Sequence, residues 1–119
     1  MYRKFITAAA LFVAAITVSS TQAGSFHNGG GVDAQVGAHS TKTYEIGFTA
    51  GEPALLTIIG DRDTDLDIYV YDQAGNLVAS DTDRSDWTAL TWVPRRNGIY
   101  TIKIKNLGGV YNSYRMRTN

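Results

Sequence analysis

The chain has 119 residues and no cysteine. That absence excludes a disulfide framework, a thiolate nucleophile and any cysteine-based metal site. Histidine is nearly as scarce: His27 and His39 are the only two. No HExxH spacing occurs, so a histidine metal cluster is not expected. Neither sign of charge is in excess, since eleven basic residues face eleven acidic ones. Nucleic-acid binding needs clustered positive charge, and nucleic acid is therefore not expected as a partner. Proline is confined to Pro53 and Pro94, each in a turn sequence. After Ala23 no stretch carries a helical period.

One long apolar run is present. Residues 5–18 carry no charge, and only Thr7 and Thr17 among them are polar. At about 14 residues the run is shorter than the roughly 20 that cross a bilayer as a helix. Arg3 and Lys4 precede it, and the small residues Thr21 and Ala23 follow it at signal-peptidase spacing. This pattern predicts a signal peptide over 1–23 and an exported product, periplasmic or extracellular, with no stable membrane anchor after cleavage. Arg3 and Lys4 would leave with the signal, so the processed chain would be slightly acidic. Exported without disulfides, it must draw its stability from its core or from a bound ion.

Residues 24–40 contain five glycines and few large apolar side chains. Such a segment cannot bury enough surface to offset its ordering entropy, which predicts a flexible Gly-rich leader with only Val32 and Val36 as anchors for a short first strand. From residue 41 to 119 short alternating runs are separated by turn residues, as in an antiparallel sandwich or barrel. Tyr44, Ile46 and Phe48 share one face, and so do Leu66, Ile68 and Val70, or Tyr100, Ile102 and Ile104. Gly75 and the Asn97-Gly98 pair mark hairpin turns. The fold class is all-β, with seven clear strands and a possible eighth.

The order of these pieces is Gly60, then Asp63-Thr64-Asp65-Leu66-Asp67-Ile68-Tyr69-Val70-Tyr71-Asp72, then a Gly75-Asn76 turn, then Asn97-Gly98-Ile99-Tyr100-Thr101-Ile102 and a terminal Tyr114-Arg115-Met116. It resembles the bacterial pre-peptidase C-terminal domain family, the small modules appended to many secreted proteases, over about residues 41–118. The resemblance implies a jelly-roll-like β-sandwich with a binding or accessory role and no catalysis. In better-known relatives the module is attached to a protease; some are removed during maturation, and others, in collagenases, bind collagen and calcium. No peptidase segment accompanies the module here, so a stand-alone exported copy is expected.

Asp61, Asp63, Asp65 and Asp67 recur at every second residue, and Asp81, Asp83 and Asp86 follow in a second loop. Calcium takes six to eight oxygen ligands and tolerates irregular geometry, so the first four aspartates are candidate calcium ligands. The loop is not an EF-hand, because Leu66 stands where that motif needs glycine. In calcium-binding relatives part of the ion's shell comes from the segment before the sandwich, which here offers only Asp33 and Asn28. The competing reading is a solvated acidic surface partly neutralised by Arg62 and Arg84, with Asp65 or Asp67 accepting from backbone amides.

Tyr69 and Tyr71 alternate with core aliphatics and should project from the outer face of their sheet. Trp87 and Tyr111 fall in or beside loops. These four are candidate contact residues for a protein or polysaccharide partner, because Tyr and Trp bury much area at low entropy cost. The competing reading is cross-strand pairing on a solvent face, with the stems of Lys103, Lys105, Arg115 and Arg117 packed on the rings. Trp92, Tyr100 and Tyr114 belong to the core. No G-x-S-x-G occurs, and both histidines lie in or beside the leader, where nothing holds a base against a nucleophile. The chain therefore reads as a non-catalytic binding or accessory module, with a self-associating structural envelope protein as the alternative.

Overall fold

The odd–even spacing of apolar residues resolves into eight strands: β1 (Gly30–Val36), β2 (Thr41–Phe48), β3 (Ala54–Ile59), β4 (Leu66–Tyr71), β5 (Leu77–Asp81), β6 (Trp87–Trp92), β7 (Gly98–Asn106) and β8 (Asn112–Thr118). They are taken from a computed structural model that describes residues 30–119. The expected signal peptide, and the leader up to residue 29, lie outside the described residues. Among those that are described no helix occurs.

All pairing is antiparallel and nested. β4 pairs with β5, β3 with β6, β2 with β7, and β1 with β8. The chain is thus one long hairpin wrapped so that successive pairs alternate between two sheets, of order β1-β8-β3-β6 and β2-β7-β4-β5. That wrapping is the jelly roll, and the expected all-β sandwich is what the chain forms.

Between the sheets, Leu56, Ile58 and Met116 from one layer meet Ile46, Ile68, Val70, Ile102 and Ile104 from the other, all fully buried. Burial of this kind is the main source of stability, at about 25 cal/mol for each Å² of apolar surface removed from water. Tyr44 and Tyr114 cross the same space, with their hydroxyls hydrogen-bonded at 2.6 Å. Burial pushes both phenols up from their ordinary titration range, so the pair stays neutral. At one end of the core, Phe48 packs edge-on against Trp92 and Tyr100, with ring centroids 5.0 and 5.9 Å away.

In the stretch expected to be a flexible leader, the short first strand anchored at Val32 and Val36 forms and is longer than expected. Residues 30–36 form the whole of β1, in register with β8 from Gly30↔Thr118 to Val36↔Asn112. Two features outweigh the entropy of its glycines. Val32, Ala34 and Val36 alternate onto the core, and Asp33 on the outer face pairs with Arg115 at 3.0 Å and Arg117 at 3.4 Å. Gly31 is required there, since a Cβ would fall 2.4 Å from the Met116 carbonyl oxygen.

Strand alternation gathers the loops at two ends. One end carries loops 37–40, 60–65, 82–86 and 107–111; the other carries 49–53, 72–76 and 93–97.

Candidate functional site

The first end holds the acidic loop. Its aspartates are short side chains beside free backbone amides, and most of them turn onto those amides. Asp61 Oδ1 accepts from the Asp63 N–H at 3.0 Å, and Oδ2 from the Ser113 N–H at 2.8 Å. Asp86 Oδ2 accepts from the Arg62 N–H at 2.6 Å and from Asn112 Nδ2 at 3.0 Å. That contact holds Arg62 at φ +73°, in the left-handed region. Asp83 Oδ1 accepts from the Ser85 N–H and hydroxyl, which holds its carboxyl below the ordinary range. Asp81 accepts from the Thr88 hydroxyl and from the Asp83 N–H. Asn112, fully buried, ties the loops together: it donates to Asp86 and to Thr64, and accepts from the Asp61 N–H at 3.2 Å. Gly60 leaves room for this knot, since a Cβ would stand 2.2 Å from Asp86 Oδ2.

Asp65 and Asp67 behave differently. Asp67 is buried, and its Oδ1 has no hydrogen-bond partner; its Oδ2 accepts from the Tyr69 hydroxyl at 3.4 Å. Asp65 Oδ1 is likewise buried and unpartnered. Burial first, and then the carboxylates of Asp67, Asp83 and Asp81, push the Asp65 carboxyl up from the ordinary range. The four aspartates singled out as calcium ligands are not gathered into one shell. Asp61 is committed to backbone amides and Asp63 is exposed at the loop tip. Among the described residues, no three His, Cys, Asp or Glu side chains are grouped to hold a metal ion.

The four candidate contact aromatics are also separated. Tyr69 and Tyr71 lie half-buried on the outer face of β2-β7-β4-β5, opposite Lys103 and Thr101 of β7. The Lys103 ammonium stands 5.6 Å from the Tyr71 ring centre. Arg115 and Arg117 pack instead on the outer face of the other sheet, with Asp33. Trp87 lies beside the loop 82–86, where it opens β6, on that same second face, directly opposite Ile59 of β3. Ile59 in turn faces Arg115, which faces Asp33. The cross-strand row therefore runs Asp33–Arg115–Ile59–Trp87, with Ile59 and Trp87 50% and 59% exposed. Tyr111 is exposed in the loop before β8.

Sequence reasoning missed the part played by Ile59, which as one more apolar strand residue is set apart only by its register. It also missed the second end of the sandwich. There the hairpin loop 72–76 and the loop 93–97 flank an open cavity of about 630 Å³, lined by Asp72, Val78, Trp92, Val93, Arg95 and Arg96 among others. Its walls are braced. Gln73 Nε2 donates to the Ile99 carbonyl at 3.2 Å, the Tyr100 hydroxyl to the Arg96 carbonyl at 3.3 Å, and the Gly51 N–H to the Pro94 carbonyl at 2.9 Å. The signal available was the adjacent Arg95-Arg96 pair, two long cations inside a tight turn.

No protein family's sequence profile matches the chain, and no curated protein matches it in sequence. Among solved structures its fold is similar to the pre-peptidase C-terminal domain of collagenase from Bacillus anthracis. The TM-score is 0.57 at 9% identity, over 78% of this chain and 89% of that one. It is also similar to PliG of Aeromonas hydrophila, a periplasmic lysozyme inhibitor of g-type lysozyme, with a TM-score of 0.57 at 11% identity, over 76% of this chain and 84% of that one. The likeness is one of fold.

Proposed function

We propose that this chain is an exported, non-catalytic accessory module that binds a protein partner through the outer face of β1-β8-β3-β6. The observation that carries this reading is the exposed Ile59–Trp87 pair, set in one cross-strand row beside the Asp33–Arg115 ion pair. An apolar centre with a charged border has the composition of a protein-binding patch, and tryptophan and arginine are the side chains that most often carry binding energy there. Export is supported by the signal-like pattern of residues 1–23. The accessory role is supported by a fold that also serves as a domain of a collagenase and as an inhibitor of a lysozyme.

On this reading Tyr69 and Tyr71 stabilise their own sheet, with Lys103 packed on the ring of Tyr71. The experiment is crosslinking of the tagged protein to partners from periplasm and medium, with wild type beside an Ile59→Ser/Trp87→Ser double variant and a Tyr69→Ala/Tyr71→Ala control. A protein recovered with wild type and control but lost with the first variant supports the assignment. Equal recovery by all three overturns it. A concentration-dependent dimer in sedimentation that the first variant abolishes would instead favour the self-associating envelope role.

A further inference from the structure

We infer that the cavity at the second end of the sandwich is a binding site for an acidic saccharide, with Arg95 and Arg96 receiving its carboxylate. The site lies at the far end of β6 from Trp87 and does not depend on the protein-binding face. Its volume, about 630 Å³, falls in the roughly 300–1,000 Å³ range of small-molecule sites.

The charge of the ligand follows from which groups are already committed. Asp72 is an acid lining the cavity, and its carboxylate is occupied by its own hairpin. Oδ1 accepts from the N–H groups of Ala74 and Asn76, each at 2.9 Å, and Oδ2 from Asn76 Nδ2 at 3.2 Å. Arg95 and Arg96 are exposed, and neither forms a salt bridge among the described residues, where both ion pairs belong to Asp33. Arg96 acts on the Asp72 carboxylate through space only, with no hydrogen bond or salt bridge to it, so both arginines keep their forked N–H donors, which match a carboxylate, free for an anion.

The saccharide follows from the remaining groups. Val78 and Val93 give an exposed apolar wall. Gln73 and Asn76 each use the amide nitrogen within the protein, to Ile99 and Asp72, while their side-chain carbonyl oxygens accept nothing among the described residues. Trp92, only 9% exposed, carries a buried indole N–H without a partner. A ligand that satisfies the exposed groups of this set has a carboxylate for the arginines, hydroxyl donors for the amide oxygens and a C–H face for the valines, and it would sit beside the Trp92 ring without reaching its buried N–H. Uronic and muramic acids have all three.

The test is an NMR titration of the purified protein with D-glucuronate and with N-acetylmuramate, against glucose, N-acetylglucosamine and acetate. Trp87 and Trp92 are the only tryptophans in the chain, so the two indole N–H resonances report the site and a remote control. The expected result is a saturable shift at Trp92 with either acidic sugar, none at Trp87, and binding weakened roughly tenfold or more in an Arg95→Gln/Arg96→Gln variant. Both arginines are exposed, so the variant will fold. Absence of a saturable shift, an equal response to neutral sugars, or indifference to the arginine variant overturns the site. Acetate binding as tightly as the sugars reduces it to a simple anion site and overturns the saccharide assignment.

Discussion

The two ends of the sandwich differ in charge, the first in excess of acid and the second with Arg95 and Arg96 balanced by Glu52 and Asp72, and they use that charge in opposite ways. At the acidic end the carboxylates of Asp61, Asp81, Asp83 and Asp86 are occupied by N–H and O–H groups of their own loop, of the neighbouring loop or of the flanking strands. At the other end Arg95 and Arg96 stand over a braced cavity with no acid paired to them among the described residues. The denser cluster of charge is therefore architecture, and the sparser one has valence left over. A short carboxylate finds an amide two residues away in its own turn, whereas a guanidinium on a long stem reaches past the backbone and remains available.

The sharpest way to break the acidic end is Asn112→Ala. The side chain is fully buried and hydrogen-bonds Thr64, Asp86 and the Asp61 N–H. Its removal strands several buried partners, so a loss of about 2–4 kcal/mol is expected, which for a domain of this size lowers Tm by on the order of 10 °C or more. A melt within a degree or two of wild type would mean that the loops are held by something other than this knot.

A smaller effect of opposite sign is expected at Asp65. Its folded carboxyl titrates above the ordinary range because it is partly desolvated and faces like charges. The folded state therefore favours the protonated form. The stability this provides is fully present below the unfolded pKa and is lost as pH rises through the raised folded value. Asp65→Asn removes the charge altogether, so it should raise Tm at neutral pH and have progressively less effect as the medium is acidified. Asp33, Asp72 and Asp83 are held below the ordinary range, Asp33 chiefly by its hydrogen bond with Arg115 and the others chiefly by hydrogen bonds within their loops. They act in the reverse sense, and their contribution is lost as pH falls through their lowered values. A Tm gain in D65N that persisted unchanged into acid would contradict the electrostatic account.

Calcium tests the same end more gently. Because Asp61 is committed to amides and no three His, Cys, Asp or Glu side chains among the described residues are grouped to hold an ion, the midpoint in calcium should equal that in chelator. A ligand held only by the folded state must raise it. A calcium-dependent rise that D65N abolishes would place an ion at Asp65 and Asp67.

How much of this was legible in the sequence depended on what set each feature. Strands β2, β3, β4, β7 and β8 follow from alternation alone, because a half-buried strand must place every second residue in the core. β1 was obscured because its stability lies in a partner: Gly30, Gly31 and Asp33 are poor strand formers until β8 supplies a backbone edge, Met116 a carbonyl that only glycine can approach, and Arg115 a counter-charge. The acidic loop was visible but its use was not. Aspartates spaced by two suit both a cation shell and a series of turns that cap their own amides, and only the direction of the carboxylates separates these. Trp87 and Tyr69 looked alike as exposed aromatics. Which sheet each sits on depends on nested pairing across the chain, and no local window contains that.

The smallest expected effect bears hardest on the contrast between the ends. Arg95→Gln/Arg96→Gln should leave Tm unchanged, even though Arg96 contributes to holding Asp72 ionised. Arg96 is the last of the influences on that carboxyl, behind the Asn76 and Ala74 hydrogen bonds within the hairpin, and those bonds remain when the guanidinium is gone. The loop carrying the arginines is likewise fixed by main-chain groups: the Pro94 carbonyl accepts from Gly51 and the Arg96 carbonyl from Tyr100. The substitutions touch neither. An unchanged melt together with lost acidic-sugar binding would separate the two ends as argued. A fall in Tm comparable to that of Asn112→Ala would mean that the arginines, like the aspartates, serve the fold, and the contrast between the two ends would not stand.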